Sequence, residues 1–156
     1  LGGVSKLVTN GQVDSGLDAS RTAWPAIGIK ADGTVIFYAM DGKQPGYSVG
    51  ATLAWLAARS GLCDGAVCHY GSRIRQYCDA APPCPTQVIL ARHEPAFDPR
   101  ALQNELEKYP SVTCRMFNAQ HGFCDADSPA WDARLAQQAD EDTLRFLTLI
   151  QQRQEA

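Results

Sequence analysis

A serine flanked by glycines stands at the head of an apolar run: Gly46-Tyr47-Ser48-Val49-Gly50 leads into Ala51-Thr52-Leu53-Ala54-Trp55-Leu56-Ala57-Ala58. In a G-x-S-x-G turn the glycines let the chain reverse sharply, leaving the serine hydroxyl exposed at a helix N-terminus. Such a helix end presents unpaired N–H groups and a partial positive charge, both suited to a developing oxyanion. Taken alone, the motif favours a plainer reading, a turn with Ser48 as the helix cap. Two further residues bear on the choice: Glu94 in Arg92-His93-Glu94-Pro95 and His121 in Ala119-Gln120-His121-Gly122-Phe123. A serine hydroxyl is a weak nucleophile until an imidazole accepts its proton, and the imidazole needs a carboxylate to set its tautomer. Ser48, His121 and Glu94 supply these three groups as nucleophile, base and acid. The Val49 N–H would serve as an oxyanion donor, worth about 3–4 kcal/mol if well placed.

Other residues compete for these roles. His93 rivals His121 as base, although it adjoins Glu94. His69 falls inside a strand-like segment and reads as structural. Asp98 rivals Glu94, but its place before Pro99 suits a helix cap. Asp125, Asp127 and Asp132 suit the entry of the last helix.

The elements that must position the trio follow from periodicity and turn chemistry. Residues 7–9 before Asn10-Gly11 read as a short strand entering a turn. Residues 26–30 and 34–40 flank Asp32-Gly33 and read as a β-hairpin. From Gly46 the pattern alternates. Helices are predicted over 51–60, 72–80, 99–109 and about 129–153, the last with Trp131, Leu135, Ala139, Leu144, Leu147 and Ile150 on one side. Strands are predicted over 66–70, 87–91 and 112–117, the second apolar enough to be buried on both faces. Strands separated by helices imply right-handed crossovers and a parallel sheet. The expected fold is α/β: a partial parallel sheet with flanking helices and an N-terminal β-hairpin segment. Residues 1–45 form the β segment and 46–156 the α/β part, together one compact domain. Glu94 and His121 then follow strands on the sheet rim where α/β proteins carry their sites, and the chain order Ser, acid, His is that of the α/β hydrolases.

Composition bounds the alternatives. A chain of 156 residues with 45% apolar and 20% charged residues is a globular domain of ordinary size. A net charge of −3 lacks the basic stripe expected of a nucleic-acid binder. No apolar run approaches the roughly 18 residues of a membrane span, and Leu1 opens no signal-like segment. The six cysteines contain no C-x-x-C, which argues against a zinc site. Reduced thiols and a cytoplasmic setting are the expectation, since a chain of this size builds a core without disulfides.

From Gly46 to about Leu147 the chain resembles the C-terminal part of the dienelactone hydrolase family, small α/β hydrolases. The likeness runs through Gly46-Tyr47-Ser48-Val49-Gly50, Ala66-Val67-Cys68-His69-Tyr70-Gly71, residues 85–95, His121-Gly122-Phe123-Cys124-Asp125, residues 128–132 and Thr143-Leu144-Arg145-Phe146-Leu147. The resemblance implies that the family's nucleophile, usually cysteine, falls on Ser48, its acid, usually aspartate, on Glu94, and its base on His121. Residues 4–53 resemble instead the phosphodiester glycosidases related to the mannose-6-phosphate uncovering enzyme. The carriers are Arg21-Thr22-Ala23, Ala26-Ile27-Gly28-Ile29, Ala31-Asp32-Gly33, Asp41-Gly42-Lys43-Gln44-Pro45-Gly46-Tyr47-Ser48 and Ala51-Thr52-Leu53. The glycine-rich Leu-Asp-Gly-Gly-Gly-Ser segment of that family is absent. The two likenesses overlap on residues 46–53, the pattern of a recombined or fused chain.

The leading expectation is a serine hydrolase of small-molecule carboxylic esters or lactones, needing no cofactor and no metal. A rival is a folded, non-catalytic composite, with a second copy forming a homodimer over a bare sheet edge. A third reading is glycan phosphodiester cleavage.

Overall fold

The computed structural model describes residues 8–9, 12–13, 24–29, 35–40 and 49–154. In chain order the elements are β1 (Val8–Thr9), β2 (Gln12–Val13), β3 (Trp24–Ile29), β4 (Val35–Met40), α1 (Val49–Arg59), β5 (Gly65–His69), β6 (Thr86–His93), α2 (Pro99–Leu106), β7 (Val112–Gln120) and α3 (Ala133–Gln154). β1 and β2 form a small antiparallel pair around the Asn10-Gly11 turn signal. The main sheet runs β3-β4-β5-β6-β7. β3 and β4 pair antiparallel, with Ile29 opposite Val35, as the Asp-Gly hairpin signal predicts. From β4 onward each neighbouring pair is parallel. The mixed α/β fold expected from the alternation is therefore present, with β3 as its antiparallel edge.

Helices cover both faces of the sheet. Cys68, Val88 and Leu90 pack toward α1 and α2, against Ala54, Trp55, Leu102 and Leu106. Val67, Ile89, Ala91 and Phe117 point the other way, against Leu135 and Ala139 of α3. Successive strand residues alternate faces, and β6 is buried on both through its first six residues, of which Val88, Ile89, Leu90 and Ala91 are apolar. α1 turns Ala51, Ala54, Trp55 and Ala58 inward, an i, i+3, i+4, i+7 stripe in which three alanines allow close approach to the sheet. Gly61, at φ +71°, ends it in a Schellman motif: Leu62 N–H bonds Ala57 O and Gly61 N–H bonds Ala58 O. α2 starts as read from the sequence. Asp98 accepts from the N–H groups of Arg100 (2.9 Å) and Ala101 (3.3 Å), with Pro99 in the first helical position. Among the described residues no helix is long and apolar enough to cross a membrane.

Three helix predictions need correction. Residues 72–80 do not form an α-helix; only a 3₁₀ turn spans Ile74–Gln76. Side chains from distant elements fix its second half instead: Trp55 Nε1 and Arg59 Nη1 both donate to Tyr77 O at 2.8 Å, and Tyr109 Oη donates to Cys78 O. α2 stops at Leu106 rather than 109, because Pro110 can neither donate to Leu106 O nor fit against it. α3 begins at Ala133 rather than 129, capped by Asp132, whose Oδ1 accepts from Leu135 N–H at 2.9 Å. Its inner stripe includes Leu135, Ala139, Thr143 and Ile150. Leu144, expected on that stripe, is 64% exposed, since it lies about 100° of helix rotation from Thr143. Strands β6 and β7 run to His93 and Gln120, farther than residues 91 and 117.

Candidate active site

The extended strand ends decide which side chains meet. β6 and β7 are parallel, so their C-terminal ends open on the same rim of the sheet. Ala91 pairs with Phe117, yet His93 pairs with Gln120, so β7 spends one more residue than β6 over that stretch. Without this bulge Gln120 would stand opposite Glu94. With it, Glu94 and His121 leave the sheet together.

Their side chains are in direct contact. His121 Nδ1 lies 2.8 Å from Glu94 Oε2 and 3.0 Å from Oε1. The Glu94 side chain is fully shielded, while that of His121 keeps 16% of its surface exposed. A buried carboxylate requires a donor, and the imidazole Nδ1–H supplies it. That bond sets the neutral tautomer and leaves Nε2 as the nitrogen able to accept a proton.

Two features hold the imidazole in place. The Tyr70 ring lies against it, centroids 4.6 Å apart and planes tilted by 38°. Tyr70 is itself held at φ +69°, an uncommon conformation for a non-glycine residue. Its N–H bonds Ile89 O at 2.7 Å, and its hydroxyl accepts from Cys124 N–H at 2.8 Å. One side chain thus ties the end of β5 to the loop after His121. Gly122 is the second feature. Its φ is +88°, and a Cβ there would come within 2.6 Å of Ser128 Oγ. Sequence reading missed Tyr70, although the Tyr-Gly step closing an apolar strand is the signal that could have marked it.

The competing residues go elsewhere. His93 Nε2 bonds Asn118 Oδ1 at 2.9 Å and is exposed. His69 is fully buried in β5, and desolvation lowers its pKa to about 4. Asp98 caps α2, Asp132 caps α3, and Asp125 accepts from Asp127 N–H. Ser48 lies outside the described residues. Val49 is the first residue of α1, where N–H groups have no acceptor within the helix. The segment between β4 and α1 carries Ser48, and β4 is parallel to β5, so β4 ends toward the rim that bears Glu94 and His121. Beside the Glu94 loop lies an open groove of about 480 Å³, bordered by Arg75, Phe97, Asp98 and Leu102. Neither Glu94 nor His121 lines it. Among the described residues no group of three His, Cys, Asp or Glu side chains is arranged to hold a metal ion.

A helix-flanked parallel sheet with a buried acid–histidine pair at its rim describes a hydrolase of α/β type. Residues 43–151 match the model of the dienelactone hydrolase family, and the chain belongs to that family. Residues 1–63 match the phosphodiester glycosidase model, so the two matches share residues 43–63. The segment similar to the glycosidases contributes β3 and β4, and β4 pairs directly with β5. An uncharacterized protein of Bacillus subtilis (strain 168), YczH, is 39% identical over 85 residues. That stretch covers 53% of this chain and 42% of YczH, so the chain spans less than half the length of this curated relative.

Proposed function

We propose that the protein hydrolyses small carboxylic esters or lactones through Ser48, His121 and Glu94. The observation that carries this reading is the buried hydrogen bond between His121 Nδ1 and the Glu94 carboxylate, which directs Nε2 to act as base. Family membership and the Gly46-Tyr47-Ser48-Val49-Gly50 sequence that leads into α1 support it.

The Ser48 hydroxyl attacks the acyl carbon while His121 Nε2 takes its proton. Glu94 stabilises the imidazolium that forms, and the Val49 N–H binds the oxyanion. Collapse of the tetrahedral intermediate expels the alcohol, which receives the proton from His121. Water, deprotonated by the same imidazole, then releases the acid and restores the serine.

Ser48→Ala should abolish p-nitrophenyl ester hydrolysis and covalent labelling by a fluorophosphonate, with the circular dichroism spectrum unchanged. Undiminished turnover in that variant refutes the assignment. A second reading, glycan phosphodiester cleavage, is favoured by the match of residues 1–63. It requires release of phosphate-linked sugar from a sugar phosphodiester in metal-supplemented buffer, and absence of that activity removes it.

A further inference from the structure

A second cluster of reactive groups lies at the opposite end of the sheet. Cys63 sits between α1 and β5, and Cys84 just before β6. These strands are parallel neighbours with Ala66 opposite Thr86, and Ala66 N–H donates to Pro85 O at 3.1 Å. Both cysteines therefore lead into adjoining strand starts. They pack in one buried cluster with Ala58 and Ala66, Cys63 at 8% and Cys84 at 7% exposure. Their flanking residues Leu62, Asp64 and Pro83 are exposed, so the cluster lies just under the surface.

The two thiols share this cluster, and each is the largest influence on the other, Cys63 drawing Cys84 down to about 7 and Cys84 pushing Cys63 up. Thr86 Oγ1 lies 4.0 Å from Cys84 Sγ and donates to Cys84 O at 3.1 Å. The other cysteines differ. Burial pushes Cys114 and Cys124 up to about 12, and Cys78 is also raised, its thiol donating to Ile74 O at 2.9 Å. All six are free thiols in this structure. A thiolate-forming cysteine beside a second thiol is the arrangement in which oxidation resolves as a disulfide.

We propose that Cys63 and Cys84 form a redox-active dithiol site, which an oxidant of the peroxide class converts to a disulfide joining the entries of β5 and β6. In the first step the Cys84 thiolate attacks one peroxide oxygen. An S–O bond forms, the O–O bond breaks, and hydroxide leaves. In the second step the Cys63 sulfur attacks the Cys84 sulfur of the sulfenic acid. The S–S bond forms, the S–O bond breaks, and the departing hydroxide takes the Cys63 proton as water. Two thiols are oxidised and one peroxide is reduced to two waters. The bond closes a loop containing β5 and the turn after it, restricting the unfolded chain.

The test is oxidation of the folded, full chain with hydrogen peroxide at pH 7, followed by denaturation in N-ethylmaleimide and mass spectrometry. The expected product retains four alkylatable cysteines of the six. It also contains a Cys63–Cys84 linkage that dithiothreitol removes. Fragmentation within the tryptic peptides separates Cys63 from Cys68 and Cys84 from Cys78. The melting temperature should rise by roughly 5–10 °C on oxidation. Cys63→Ser should stop the reaction at a Cys84 sulfenic acid that dimedone traps. Six alkylated cysteines, a sulfinic acid at Cys84 without linkage, or a bond between any other pair overturns the proposal. The wild-type result decides the matter even if the variant does not fold.

Discussion

At the scale of single residues, the site depends on a buried charge that has one specific donor. Glu94 has no solvent to fall back on, so the His121 Nδ1–H is what makes its ionised form tolerable in that position. On the proposed mechanism Glu94→Gln leaves the shape intact but no longer dictates the imidazole tautomer. The kcat for a p-nitrophenyl ester should fall by about 10³-fold or more, with little change in KM. Unaltered kcat would remove Glu94 from the mechanism. Gly122 sets the next requirement. Gly122→Ala combines a positive φ with a Cβ forced against Ser128 Oγ, and should destabilise the fold by roughly 1–3 kcal/mol. Urea denaturation measures that cost, and a loss below a few tenths of a kcal/mol would show that the loop relaxes freely. The candidate residues Glu94 and His121 were legible in the sequence because each follows an apolar strand. The glycine's steric role was not, since Ser128 is its neighbour only in the folded loop.

Elements were legible to the extent that local signals decided them. Asp98-Pro99 marks the start of α2, Gly61 the end of α1, and Asp-Gly the hairpin between β3 and β4. Each is a short-range backbone requirement written in adjacent residues. The α3 boundary shows the same logic at finer grain. Asp132 is the cap that takes Leu135 N–H, and Asp132→Ala should lower stability by about 1 kcal/mol, read from the urea midpoint at unchanged slope. No change would mean that another group satisfies the helix start. The stretch 72–80 fails this local reading. Its helical pattern loses to Trp55, Arg59 and Tyr109, which come from distant elements and claim the carbonyls of Tyr77 and Cys78.

At the scale of the whole molecule, two helical layers bury the sheet and with it His69. Burial depresses its pKa from 6.5 to about 4, so the folded protein binds this proton less readily than the unfolded chain. The corresponding stability is fully present above pH 6.5 and is lost progressively as pH falls toward 4. At roughly 1.4 kcal/mol per pH unit the full effect is about 3 kcal/mol. Unfolding free energies measured between pH 7 and pH 4 should show this decline in the wild type. In His69→Phe the decline should be smaller by that amount, and equal slopes in both proteins would disprove the account. The molecule also joins segments of different likeness in one sheet, since β4 and β5 pair despite the glycosidase match covering the former. That pairing points the C-terminal end of β4 toward the rim of Glu94 and His121.

Strand order of apolar character, helix caps, turn signals and the succession of serine, acid and histidine are properties of neighbouring residues, and the chain carries them without folding. The hydrogen bond of His121 to Glu94, the stacking of Tyr70 and the shared cluster of Cys63 and Cys84 are different in kind. They link residues 27, 51 and 21 positions apart, and so depend on which strands adjoin and in what register. One additional residue in β7 decides whether histidine or glutamine faces the carboxylate. Such an offset arises from packing two strands against shared layers, and no local propensity encodes it.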